Sequence, residues 1–229
     1  MNSFIALFLT PAFGYAILRV TTPILFASLG NVISDKAGVS NIAMEGTMLT
    51  ASLAGVLVSA YSGNAFIGLL AALIVGVLFS AFMAYISLYL GTKIIMAGIA
   101  LNLFASSFTV YVLYMFTGQK GNSASLASKQ LPTIDLPVIK NIPILGEILS
   151  GHNVLVYVAL LSIVVIYVML NKTKLGAHIK AVGENPSAAA SVGINVRRVQ
   201  FISLCLSGLL AGFGGAFMSM GYLSMFTRD

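Results

Sequence analysis

The stretch "FIGLLAALIVGVLFSAFMAYISLYL", residues 66–90, contains no Asp, Glu, Lys, Arg, His, Asn or Gln. A helix rises about 1.5 Å per residue, so about 20 such residues cross a hydrocarbon core of about 30 Å. Comparable apolar runs recur on both sides, near residues 4–33, 42–60, 94–116, 154–170 and 199–223. The 229-residue chain is 59% hydrophobic and 8% charged, with a mean hydropathy of +1.00. Soluble domains carry about 25% charged residues. A chain this poor in charge could not cover its surface in water. These runs predict an all-α, polytopic transmembrane helix bundle of about six spans, forming one membrane domain over residues 1–229.

The net charge of +6 does not point to nucleic acid, because the positive residues lie between the apolar runs. One set holds Lys36, Lys93, Lys172, Lys174, Lys180, Arg197 and Arg198; the other holds Lys120, Lys129, Lys140 and Arg228. The first set is larger and sits in tighter loops, which places it in the cytoplasm. Residues 117–153, with Pro132, Pro137 and Pro143, then form an external loop, and residues 171–198 form a cytoplasmic one. The opening "MNSFIALFLTPAFGYAILRV" has no basic leader and no small-residue cleavage site, so it reads as structure rather than a signal peptide. The first span includes Pro11, Arg19 and Pro23. It is expected either as one long, tilted or kinked helix, or as a short surface piece followed by a span. Arg19 either snorkels or faces protein.

No nucleophile–base set, nucleotide-binding glycine loop or metal motif occurs, so neither an enzyme nor a metal site is expected. His152 and His178 fall on opposite sides of the membrane in this topology. Cys205 sits in the apolar run "FISLCLSGLL" and reads as a small hydrophobe. "SGLLAGFGGAF" sets Gly208 and Gly212 four residues apart, with Ala211 and Gly215 repeating the pattern, as in faces where membrane helices pack closely.

Glu45 is the one acid inside a predicted span. A carboxylate deep in a membrane is costly unless it is paired or faces a cavity. Two readings stand. It is a functional group of a transport path, or it is an acid favoured by the positive end of a helix beginning near Asn41. Asn41 and Asn102 are further candidates for the path, with interhelical hydrogen bonding as the commoner use of such groups.

"AVGENPSAAASVGINVRR", residues 181–198, interrupts this apolar chain. Asn185 is a favoured N-cap and Pro186 a favoured first helical residue. Gly193 stands where a left-handed C-terminal cap belongs. A short helix over Pro186–Val192 is predicted at the cytoplasmic mouth. So short a helix is marginal alone in water and needs something to pack against.

"GVSNIAMEGTMLTAS", "TKLGAHIKAVGENPSAAASVGINVRRV", "TTPILFASLGNVISDKAGVSN" and "LSGLLAGFGGAFMSMGY" together resemble the permease subunits of simple-sugar and nucleoside ABC importers, the branched-chain amino acid/ribose-type membrane components. The resemblance covers nearly the whole chain, and "GENPxAA…GIN" is its most specific part. It implies a multi-pass plasma-membrane permease that works by alternating access, for nucleosides first and for simple sugars of the ribose/galactose type next. It implies an ABC ATPase subunit that binds the ATP, a second permease forming a heterodimer, and an extracellular substrate-binding lipoprotein, with no cofactor on this chain. Gly183, Glu184, Asn185, Pro186, Ala188, Ala189 and Gly193 would form the segment coupled to the ATPase. Members of the family usually continue past "SMGYLSMFTRD" with several more spans, so C-terminal spans of the full permease are expected to be missing here. The rival readings are an ion- or proton-coupled secondary transporter with Glu45 titrating, and a structural or assembly membrane protein.

Overall fold

The computed structural model describes residues 11–118, 129–134 and 150–222. Helices α1 (Pro11–Lys36), α2 (Met44–Ser62), α3 (Ala65–Leu88) and α4 (Ile94–Thr117) come first. After them, β1 (Thr133–Ile134) and β2 (His152–Asn153) form a two-residue antiparallel ladder pairing Thr133 with Asn153 and Ile134 with His152. Then follow α5 (Val154–Lys172), α6 (Lys174–Glu184), α7 (Pro186–Ser191), α8 (Val196–Ala216) and a π-helical turn, Phe217–Tyr222. The expected start of the first span at Phe4, the loop residues Lys120, Pro137, Lys140 and Pro143, and Arg228 lie outside the described residues.

Five of these helices, α1, α3, α4, α5 and α8, are long and apolar enough to cross a membrane. The sixth expected span is α2. It has 19 residues, and Glu45 together with several Ser and Thr lowers its hydropathy. It packs against α3, α4 and α8. From Pro11 to Lys36 the first span is one helix, with Pro23 inside it. Pro23 has no N–H to offer the carbonyl four residues back.

The bundle is organised around α8. Of the span Val196–Gly221, formed by α8 and the π-helical turn after it, 61% of an 18-residue stretch is buried, against 28% in each of the other four candidate spans. Its small residues make this possible. A Cβ on Gly76 of α3 would lie 2.6 Å from the Gly208 carbonyl oxygen and 3.0 Å from the Gly212 Cα, so the two backbones touch with no side chain between them. The predicted glycine face of α8 is thus used for packing inside this chain.

The two ends of the bundle differ. At one end, Leu131 N–H donates to the Met220 carbonyl at 3.2 Å, and Asn153 Nδ2 donates to the Leu131 carbonyl at 3.0 Å. Tyr15 stacks on buried His152 at 3.9 Å between ring centroids, and its hydroxyl donates to the Gly151 carbonyl at 3.1 Å. These contacts pin the described ends of loop 117–153 to the bundle. Arg19 lines a cavity of about 170 Å³ at this end, with Tyr15, Gln130, Thr133 and His152; it faces protein. The opposite end carries Lys36, α6, α7 and the start of α8, matching the larger cationic set.

Gly76→Ala would drive a methyl group into the α8 backbone. Overpacking of this kind costs about 1–3 kcal/mol. The expected outcome is a clearly lower melting temperature for the detergent-solubilised protein, measured by thermal unfolding. An unchanged melting temperature would contradict the close α3–α8 approach.

Candidate functional site

Between α1 and α2, residues 37–43 are not α-helical, although Ala37, Val39, Asn41 and Ala43 are buried. Backbone at membrane depth has to find its hydrogen-bond partners within the protein. Asn41 N–H donates to Ser34 Oγ at 3.3 Å. Asn41 Nδ2 donates to Ser207 Oγ on α8 at 2.9 Å and to Ser80 Oγ on α3 at 3.4 Å. Asn41 is only 1% exposed, so in this conformation it ties α1, α3 and α8 together and does not line an open path.

Asn102 supplies the other half of this arrangement. Ala43, at the N-cap position of α2, makes no side-chain capping bond. Asn102 of α4 makes it from outside: Gly46 N–H donates to Asn102 Oδ1 at 2.8 Å, and Asn102 Nδ2 donates to the Ile42 carbonyl at 2.8 Å. One amide thus satisfies an orphan N–H of the first helical turn and the carbonyl just before it.

These contacts also set the depth of Glu45. Ser80 lies eight residues from the end of α3, and Ser207 eleven from the start of α8. At about 1.5 Å per residue, Asn41 therefore sits about 12–16 Å from those two helix ends, while its third partner, Ser34, is two residues from the end of α1. Glu45 is the second residue of α2, beside Gly46, whose partner Asn102 lies eight residues, about 12 Å, from the start of α4; Glu45 is exposed on this chain. It stands in the first turn of α2, where the helix dipole favours an acid.

At the basic end, Thr173 Oγ1 accepts from Gly176 N–H at 3.1 Å and starts α6. The α6 face formed by Gly176, Ile179 and Val182 is buried against the bundle. These residues fall within the expected loop 171–198, and the structure folds them as a helix. The signal was present: a Thr cap, then Leu175, Ile179 and Val182 at helical spacing. Asn185 then caps α7, its Oδ1 accepting from Ala188 N–H at 3.0 Å, with Pro186 opening the helix. Gly193 has φ +85° and donates to the Ala190 carbonyl at 3.0 Å. The predicted caps are the observed ones, and α7 ends at Ser191, one residue before the predicted Val192.

The seven candidate coupling residues divide by direction. Glu184, Asn185, Pro186, Ala188 and Gly193 are exposed, while Gly183 and Ala189 turn towards the bundle. Val192 is 76% exposed beside α7, and Arg197 and Arg198 are exposed just beyond. Among the described residues, no three His, Cys, Asp or Glu come together as a metal site.

Residues 15–227 match the family described as branched-chain amino acid transport system / permease component. The nucleoside ABC transporter permease protein NupC of Lactococcus lactis is 31% identical over 206 residues, covering 87% of this chain and 64% of that protein. The guanosine ABC transporter permease protein NupQ of Bacillus subtilis is 31% identical over 209 residues, covering 87% of this chain and 64% of that protein. A glucose ABC transporter permease protein of Haloferax volcanii is 28% identical over 220 residues, covering 90% of this chain and 57% of that protein. The chain therefore spans about three-fifths of the length of these relatives. No solved structure matches it.

Asn102→Ala would leave the entry of α2 uncapped. Loss of a helix cap costs about 0.5–2 kcal/mol. The expected outcome is lower thermal stability and faster hydrogen exchange at the Gly46 amide, read by mass spectrometry. Unchanged protection there would contradict the clamp.

Proposed function

We propose that this chain, which belongs to the family of branched-chain amino acid transport system permease components, is the membrane subunit of an ATP-driven importer, and that its substrate is a nucleoside. The observation that carries this reading is α7: a short, doubly capped helix with an exposed face, set among cationic residues at the cytoplasmic end. Its exposed residues Pro186 and Ala188, with Glu184 at the end of α6, form the surface that docks into a separate ABC ATPase. A second permease, forming a heterodimer, and an extracellular lipoprotein receptor complete the assembly. The nucleoside and guanosine permeases among its relatives support the substrate class. The glucose permease keeps a simple sugar as the second reading.

Glu45 faces the translocation path. A carboxylate well inside the span of a bundle costs a few kcal/mol against lipid, so an exposed one there belongs to a surface covered by protein or by a water-filled route. Asn41 and Asn102 lie beside the path and hold the chain that presents Glu45.

The test is co-purification of the permeases with the ATPase, followed by uptake of labelled nucleosides and glucose in proteoliposomes. Ala188→Trp is expected to weaken ATPase binding about 30-fold or more, as at an interface hot spot of about 2 kcal/mol, and to abolish uptake. Normal binding and uptake in that variant would sink the docking claim. Uptake that persists without the ATPase and collapses with the proton gradient would instead indicate a proton-coupled carrier.

A further inference from the structure

Helix α6 crosses the chain where it leaves α1, and the crossing has no side chain in it. A Cβ on Gly183 would run into the Lys36 carbonyl oxygen and would stand 3.3 Å from the Gly38 nitrogen. From the other side, a Cβ on Gly38 would meet the Gly183 Cα at 3.4 Å, and Gly38 has φ +73°, where glycine is favoured. Both partners of this contact are backbone, so neither can yield by changing rotamer.

The contact joins two stiff parts. Asn185 N–H donates to the Ala181 carbonyl at 3.1 Å while Asn185 Oδ1 caps α7, so α6 and α7 form a single corner. Ile179 and Val182 are fully buried and seat that corner on the bundle. On the far side, Gly38 opens the segment that carries Asn41 and runs into the Asn102-held start of α2. Gln200 Nε2 donates to the Ala37 carbonyl at 3.3 Å and keeps the segment against α8. Packed interiors are nearly incompressible, so a backbone-to-backbone contact passes displacement on without absorbing it.

We propose that Gly183 and Gly38 are positioning residues for transport: their contact is the joint through which movement of α7 shifts residues 37–43 and, with them, the start of α2 that bears Glu45. This inference rests on the reading of α7 as the ATPase-docking element. It assigns Gly183 a role distinct from docking, since Gly183 faces the bundle and leaves the ATPase to Glu184, Pro186 and Ala188.

The test uses the complete importer in proteoliposomes, comparing the unsubstituted chain with Gly183→Ala. The variant is expected to keep its ATPase subunits and its ATP hydrolysis, while uptake per ATP falls by about tenfold, within the range of ordinary coupling energies. A merely structural role would lower ATP hydrolysis and uptake together. Unchanged uptake per ATP overturns the proposal. A second measurement does not depend on how that variant folds. With Gly183 intact, Cys205→Ser and Ser40→Cys place one exposed thiol in the segment. Its labelling rate by an impermeant maleimide is expected to change between the nucleotide-free and vanadate-trapped complexes. Equal rates in the two states overturn the joint whatever Gly183→Ala does. If the unsubstituted chain fails to bind the ATPase, the functional reading itself fails, and the joint fails with it.

Discussion

Hydrocarbon offers no partner to a free amide, so a helix that begins inside a membrane bundle needs its first-turn donors met by protein. The clamp of Asn102 on Gly46 N–H and the Ile42 carbonyl meets that need for α2. The rest of the site depends on it. Because α2 begins at depth, residues 37–43 cross the inner part of the bundle without regular helix. Asn41 can then reach Ser207 and Ser80, and Glu45, at the start of α2, lies on an exposed face.

Small residues make room for this arrangement. Gly98 of α4 leaves space for Ile42, whose Cβ would otherwise lie 2.6 Å from a Cβ at that position. Gly76 and Gly208 draw α3 and α8 together, which brings Ser80 and Ser207 within reach of a single amide. Polar bonds between membrane helices are individually modest, about 0.6 kcal/mol on average. The network matters less for its energy than for the geometry it imposes, since each bond lost would leave a buried group unpaired.

The spans were legible in the sequence because lipid punishes charge so heavily that one run such as residues 66–90 announces itself. The ends of α7 were legible for a different reason. Capping is local, and Asn185, Pro186 and Gly193 each act within a few residues of their own position. The role of Asn102 could not be read in the same way, because its partner lies 56 residues away on another helix. The depth of Glu45 follows from where Asn41 docks, which is a tertiary fact. Gly183 reads as part of a docking segment, yet its direction is set by α6, an amphipathic helix within the expected loop 171–198. Local chemistry was readable, and placement that depends on which helices become neighbours was not.

Under the proposed function, the clamped start of α2 presents Glu45 to water within the membrane. The direct measurement is thiol accessibility of Glu45→Cys in a Cys205→Ser background, in the assembled complex in lipid. The account predicts labelling by a water-soluble, membrane-impermeant maleimide, and slowing of that labelling by transported substrate. Reaction only with a lipid-soluble reagent, indifferent to substrate, would place residue 45 against lipid and contradict the account.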